Sequence, residues 1–412
     1  MRIDRFSAAI LACLMLLLAG CATGLQRAAS PEEVGFSFQK LVELKTTLQQ
    51  DVDQGVLAGA VVLLSRYGKI AYFESLGFRD REANVPMTKD AIFRIASMTK
   101  PIVAFGAMML VEEGKLGLSD PVSKYLPEFG GVQVGVEKKD ASGQVQLMLE
   151  APQRPMTVQD LLQHTSGLTY GIYPNKTAVQ ILYDKANLLD ENQTNAQLVS
   201  KLAKLPLKNH PGVKWEYSMS MDVMGRVIEV VTGKDLETYL KERVLMPLKM
   251  YESGFWIDDP GQKARLAQPT IEPKTGKRPD MPDKTQRKAW ASGGGGMVST
   301  AMDYARFSQF LLNGGELDGV RLVSEKTFKQ MLGSHVPALG QSFGWGFLIR
   351  TNEASTYPGT IGDFFWAGFY GTYFWVDPKR DFYAVFMSQV PAATREKHRK
   401  LMRERVYGAL LN

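Results

Sequence analysis

Ser97-Met98-Thr99-Lys100 sets a hydroxyl and an amine three residues apart, a spacing that returns both side chains to one face of a helical turn. A serine is a poor nucleophile at its own pKa and needs a neighbouring base. A lysine can serve only where burial or nearby cations lower its pKa. A serine at a helix start is also surrounded by free backbone N–H groups and the positive end of the helix dipole. Pro101, in the first turn, loses little by lacking an N–H. Alone, S-x-x-K is weak, since a capped helix with a surface lysine looks the same.

The surrounding segments sharpen it. Phe93-Arg94-Ile95-Ala96 leads into Ser97, and Leu161-Leu162-Gln163-His164-Thr165-Ser166-Gly167-Leu168 follows downstream. Then come Pro211-Gly212-Val213-Lys214-Trp215-Glu216-Tyr217-Ser218, the stretch Gly293–Thr300, and Trp366-Ala367-Gly368. Together and in this order they resemble the family of class C β-lactamases, D-alanyl-D-alanine carboxypeptidases and family VIII carboxylesterases. The resemblance covers nearly all of residues 35–412. It implies a β-lactamase/transpeptidase-like α/β fold: a central antiparallel sheet flanked by helices, with an inserted mostly helical domain and the site between the two. It also implies an acyl-enzyme mechanism with no metal and no cofactor.

Carried over by position, Ser97 is the nucleophile and Lys100 its proton acceptor or electrostatic partner. Tyr217 falls on the second-motif tyrosine that passes the proton to the leaving group, which a phenol can do only beside a cation that favours its anion. The oxyanion hole would be the backbone N–H groups of Ser97 and Phe369.

Two departures bear on substrate. Met219 stands where the β-lactamases and carboxypeptidases usually have asparagine, so an amide that could bond a substrate is replaced by a thioether. Trp366-Ala367-Gly368 replaces Lys-Thr-Gly, removing the cation that would face a substrate carboxylate; leaving such a charge desolvated and unpaired is costly. Met219, Trp366, Ala367 and Gly368 are therefore the expected pocket residues, and both changes favour neutral esters. Phe369 and Tyr370 are expected to narrow the pocket toward short acyl chains. The leading reading is a carboxylesterase acting through acyl-Ser97. The alternatives are a β-lactamase or D-alanyl-D-alanine carboxypeptidase and, from another class, a binding lipoprotein without catalysis, for which Ser97, Lys100 and Tyr217 together would be superfluous.

Other signals carry less. Gly340-Gln341-Ser342-Phe343-Gly344 fits the G-x-S-x-G elbow, but that elbow needs a strand before the serine and a helix after it, and the order here is reversed. Gly293–Gly296 lacks the Gly-Lys-Ser/Thr of a phosphate loop, and Thr300 with Asp303 reads as a helix cap. His164, His210, His335 and His398 share no metal-ligand spacing, and His164 reads as a structural residue at a helix end.

The elements that must hold these residues follow from periodicity. Phe38, Leu41, Leu44, Leu48 and Val52 keep helical spacing. Residues 58–65 and 70–76 read as a hairpin around Arg66–Lys69. A helix is expected from Ser97 to Gly114, another over Gly212–Thr232 and a last one over Glu396–Leu411. Thr157 and Asp160 read as a capping box. Phe343–Ile349, Tyr370–Val376 and Phe382–Ser388 read as consecutive strands. Residues 36–114 and 286–412 would form the α/β unit, with 115–285 inserted as the mainly helical one.

The chain of 412 residues is long enough for two cores, and its 45% hydrophobic and 22% charged content suits a globular protein. The net charge of +6 is dispersed, without the basic stripe of a nucleic-acid protein. Arg2 and Arg5 precede an apolar run, Ile10–Leu18, too short to span a bilayer. Leu18-Ala19-Gly20-Cys21 then resembles the bacterial lipoprotein processing site, which implies cleavage before Cys21, lipid on its sulfur and a cell-envelope location. The alternative is an ordinary cleaved signal with a chance cysteine. Residues 1–20 would be the signal and 21–35 a tether. Cys13 and Cys21 are the only cysteines, so the processed chain would have no disulfide.

Overall fold

The computed structural model describes residues 25–411 apart from 273–274, 334, 353–356 and 391. The expected signal and Cys21 lie outside the described residues. The chain builds a ten-stranded sheet in the order Gln26–Arg27, Lys69–Asp80, Gly59–Arg66, Phe382–Ser388, Tyr373–Asp377, Phe364–Ala367, Leu348–Ile349, Gln341–Phe343 and Val336–Ala338, with Val85–Pro86 paired beside Lys69–Asp80. Every pair along that path is antiparallel except Gln26–Arg27 with Lys69–Ile70.

Both faces of the sheet are covered, which is why its central strands read as continuous apolar runs. Along Gly59–Arg66, Val61 and Leu63 enter one core while Ala60, Val62 and Leu64 enter the other. The first core packs on the helices Thr99–Glu112 and Ala301–Leu312, and the second on Phe38–Asp53 and Ala392–Gly408. Leu41, Leu44, Leu48 and Val52 are buried as their spacing requires, whereas Phe38 is exposed. The first hairpin closes through Tyr67 and Gly68, both left-handed at φ 54 and 72, the two-residue turn that matches strand twist.

Three expected elements differ. The single strand over Phe343–Ile349 is a hairpin: Gln341–Phe343 and Leu348–Ile349 pair antiparallel, and Gly346 at φ 93 reverses the chain between them. The helix expected from Gly212 starts at Ser220: residues 211–213 form a turn with Gly212 at φ 83, and Glu216 N–H bonds the His164 carbonyl at 2.8 Å instead of a helical partner. The last helix runs from Ala392 to Gly408, which adds Arg395 to it. Between residues 115 and 285 lie the helices Val158–Gln163, Ala178–Lys185, Asn195–Leu202, Ser220–Thr232 and Leu236–Leu240. The helical reading of that segment overlooks a hairpin, Val134–Lys139 with Val145–Glu150. Thr157 and Asp160 form the expected capping box. No helix among the described residues is long and apolar enough to cross a membrane.

Candidate active site

Ser97 lies in a short 3-10 turn, Ala96–Met98, that feeds directly into the Thr99–Glu112 helix. Ala96 is left-handed at φ 44, a conformation that costs a non-glycine residue about 1–2 kcal/mol. The turn is held from several sides. Ile92–Arg94 pairs with Val298–Thr300, Met297 N–H bonds Thr99 Oγ1 at 3.1 Å, and Tyr304 Oη donates to the Met98 carbonyl at 3.0 Å. Strain over-determined in this way is a common companion of reacting groups.

The Ser97 Oγ accepts from Tyr217 Oη at 2.6 Å and from Lys100 Nζ at 3.2 Å. Lys100 is 1% exposed, and its ammonium sits 4.6 Å from the centre of the Tyr217 ring and 5.8 Å from that of Tyr170. It also donates to the Gly294 carbonyl. The sequence brings Tyr217 there through the non-helical segment 214–218, just before the Ser220–Thr232 helix.

Behind Lys100 lies a group that motif reading overlooked. Asp222 is buried, accepts from Ser292 Oγ at 2.5 Å and from Gly294 N–H at 3.0 Å, and thereby fixes the carbonyl that Lys100 bonds. Burial pushes its carboxyl above the usual range, opposed by the nearby Lys100 charge. Its position five residues after Tyr217 is the only signal the sequence offers. The glycine run is explained by the same contact: a Cβ on Gly294 would meet Asp222 Oδ2 at 2.2 Å, and one on Gly293 the Met221 carbonyl at 2.4 Å.

His164 caps the Val158–Gln163 helix in the left-handed region at φ 56, and its ring packs 4.9 Å from that of Tyr217. Burial, reinforced by Lys100, holds its pKa well below 6.5, so the imidazole is neutral. Ser342 lies in a strand with its hydroxyl on the Val336 carbonyl, not at a strand-to-helix elbow.

Ser97 and Tyr217 line a cavity of about 690 Å³, a size that suits an organic ligand, and Lys100 lies buried behind them. Trp366, Ala367, Gly368 and Phe369 all line it, and Trp366 lies 5.5 Å from the Tyr217 ring. Gly368 presses on the turn that carries Ser97: a Cβ there would stand 2.0 Å from Thr372 Oγ1 and 2.5 Å from the Ile95 carbonyl. Among the described residues the Phe369 N–H donates no hydrogen bond. Met219 is placed elsewhere, 1% exposed in the core at the start of the Ser220–Thr232 helix and outside the cavity wall. Tyr370 also lies outside the wall, where burial pushes its phenol up to about 12.

The wall also contains cations that sequence reasoning missed. Arg399 donates to the Gly368 carbonyl at 2.6 Å, and Arg395 donates to the Phe369 carbonyl at 2.9 Å while its guanidinium lies 4.5 Å from the Phe369 ring centre. Both come from the last helix. Burial lowers both pKa values, but a guanidinium stays charged.

Comparison with known proteins places the chain in a family. A family model described as Beta-lactamase matches residues 44–407. The chain belongs to the Beta-lactamase family. Relatives within that family include Protein Rv1367c of Mycobacterium tuberculosis, 33% identical over 364 residues covering 84% of this chain and 89% of that protein. Esterase EstB of Burkholderia gladioli is 31% identical over 383 residues, covering 85% of this chain and 91% of the esterase. The solved structure of EstCE1, described as a hydrolase with promiscuous acyltransferase activity, superposes with a TM-score of 0.75 at 26% identity, covering 90% of this chain and 99% of its own. The fold is thus β-lactamase/transpeptidase-like, and this Beta-lactamase-family chain is of the serine hydrolase type that includes esterases.

Proposed function

We propose that this chain is a carboxylesterase that cleaves neutral esters through an acyl-Ser97 intermediate. The observation that carries the reading is the Ser97 hydroxyl held by both Lys100 and Tyr217 at the wall of a mainly apolar cavity. Ser97 Oγ attacks the ester carbonyl carbon, and its proton passes to the Lys100–Tyr217 pair. The negative oxygen of the tetrahedral intermediate is stabilised by the N–H groups of Ser97 and Phe369. The bond to the leaving oxygen then breaks, and Tyr217 returns the proton to it, releasing an alcohol. Water repeats the sequence on the acyl-enzyme and releases an acid. Tryptophan at 366 leaves that motif without an ammonium, which supports neutral substrates.

A second reading, a β-lactamase or D-alanyl-D-alanine peptidase, draws support from Arg395 and Arg399, which bring positive charge to the same wall from another element. Measured kcat/KM values for p-nitrophenyl butyrate, a chromogenic cephalosporin and a D-alanyl-D-alanine peptide separate the two. The esterase reading expects the butyrate to lead. Faster turnover of either anionic substrate would overturn it.

We further propose that the protein is exported and held at a membrane by lipid on Cys21, a reading supported by the Leu18–Cys21 pattern alone. Cys21→Ser should move the protein from the membrane fraction to the soluble one. An unchanged distribution would contradict the anchor.

A further inference from the structure

A second cavity, of about 390 Å³, shares Tyr173, Trp215 and Tyr217 with the first. Where the first is charged by Arg395, Glu396 and Arg399, the second carries Asn175, Lys208 and Glu216. Glu216 stands directly before the catalytic tyrosine in sequence and is 9% exposed.

The hydrogen bonds of Glu216 are lopsided. Oε1 accepts from Thr169 Oγ1 at 2.9 Å, Gln180 Nε2 at 3.3 Å and Lys208 Nζ at 2.7 Å. Oε2 takes no hydrogen bond from any described residue. Oε2 is not sealed from solvent, so one oxygen is saturated by protein donors while the other stands open to a donor in the cavity. Gln180 also belongs to the capping box of the Ala178–Lys185 helix, so the orientation of the carboxylate is fixed by secondary structure.

We propose that this cavity is the subsite for the alcohol half of the ester, and that it selects a polyhydroxylated alcohol such as a glyceryl or sugar unit. The proposal rests on the esterase reading above. In that mechanism Tyr217 delivers a proton to the leaving oxygen, so the alcohol must extend from Tyr217, a residue that lines this cavity. Glu216 Oε2 accepts from one hydroxyl and Lys208 Nζ donates to a neighbouring one, which a vicinal diol satisfies at once. The rings of Tyr173 and Trp215 supply apolar surface for the carbon skeleton. An ammonium-bearing alcohol is a poorer fit, because Lys208 already balances the carboxylate and would repel a second cation.

The test compares kcat/KM for glyceryl monobutyrate, ethyl butyrate, butyrylcholine and p-nitrophenyl butyrate, which share one acyl group. Two hydrogen bonds to charged groups predict that the glyceryl ester exceeds the ethyl ester by at least about ten-fold, and butyrylcholine by a similar factor. In Glu216→Gln the side-chain oxygen must stay with its three donors, so the amide NH₂ faces the cavity and an acceptor becomes a donor. That variant, and Lys208→Met as a second should the first fold poorly, should each bring the glyceryl/ethyl ratio below about three. A wild-type ratio near one, a preference for butyrylcholine, or a ratio unchanged in both variants would overturn the subsite while p-nitrophenyl butyrate turnover left the esterase reading standing. A wild-type protein inert on all four esters would overturn both.

Discussion

Two donors, one ammonium and one phenol, converge on the oxygen of Ser97, and each has a physical reason to be needed. In the proposed mechanism the pair takes up the serine proton and the phenol returns it to the leaving oxygen. Lys100→Ala and Tyr217→Phe are each expected to lower kcat by about 10²–10⁴-fold in ester-hydrolysis assays, with KM far less affected. A Lys100→Ala protein near wild-type rate would remove the lysine from that role. Asp222→Ala should lower kcat at least about ten-fold, since it frees the Gly294 amide and loosens the carbonyl that Lys100 bonds. At this scale the sequence is informative where chemistry is local. Ser97 and Lys100 share a helical turn, and the decoy at Ser342 is exposed by its missing helix. It is uninformative where a side chain's direction depends on packing. Met219 lies two residues from Tyr217 yet turns into the core, and Asp222 matters only because the Gly293–Gly296 backbone folds across it.

Elements act by carrying these residues to one another, and the strand end at Gly368 abuts the turn that carries Ser97. Gly368→Ala should place a methyl against the Ile95 carbonyl, destabilise the fold by about 1–3 kcal/mol in denaturant titration, and abolish most activity. Wild-type stability and rate in that variant would contradict the described contact. The Val158–Gln163 helix makes a second prediction through its cap. Buried His164 resists protonation, while in the unfolded chain it takes up a proton as pH falls below 6.5. Stability is therefore fully present above that pH and declines below it. His164→Asn, which tolerates the left-handed cap, should show a smaller loss of Tm between pH 7.5 and 5.5 than wild type. An equal or larger loss would contradict a neutral buried imidazole. Periodicity misleads where a glycine interrupts it. The alternation in Phe343–Ile349 looks like one strand, and only Gly346 signals the reversal.

Across the whole molecule, the last helix ties the site to the chain's C-terminal end. Arg395 and Arg399 hold the carbonyls after the third motif, and one turn further Arg403 is buried against Asp363 at 2.7 Å, which also pairs with Arg350 at 3.0 Å. Asp363→Ala would leave two buried guanidiniums without their carboxylate and should cost about 3–5 kcal/mol in urea unfolding. None of these arginines is legible in the sequence as a site residue, because their reach depends on where a helix beginning near residue 392 docks on a sheet built from both ends of the chain. The family fold itself is legible, since motif order over residues 93–368 survives without knowing any contact. Covalent labelling decides whether Ser97 is the nucleophile. After incubation with a fluorophosphonate, peptide mass spectrometry should find the phosphonyl group on Ser97 in wild type and in Ser342→Ala, and no adduct in Ser97→Ala. An adduct on Ser342, or on any residue of the Ser97→Ala protein, would contradict the account.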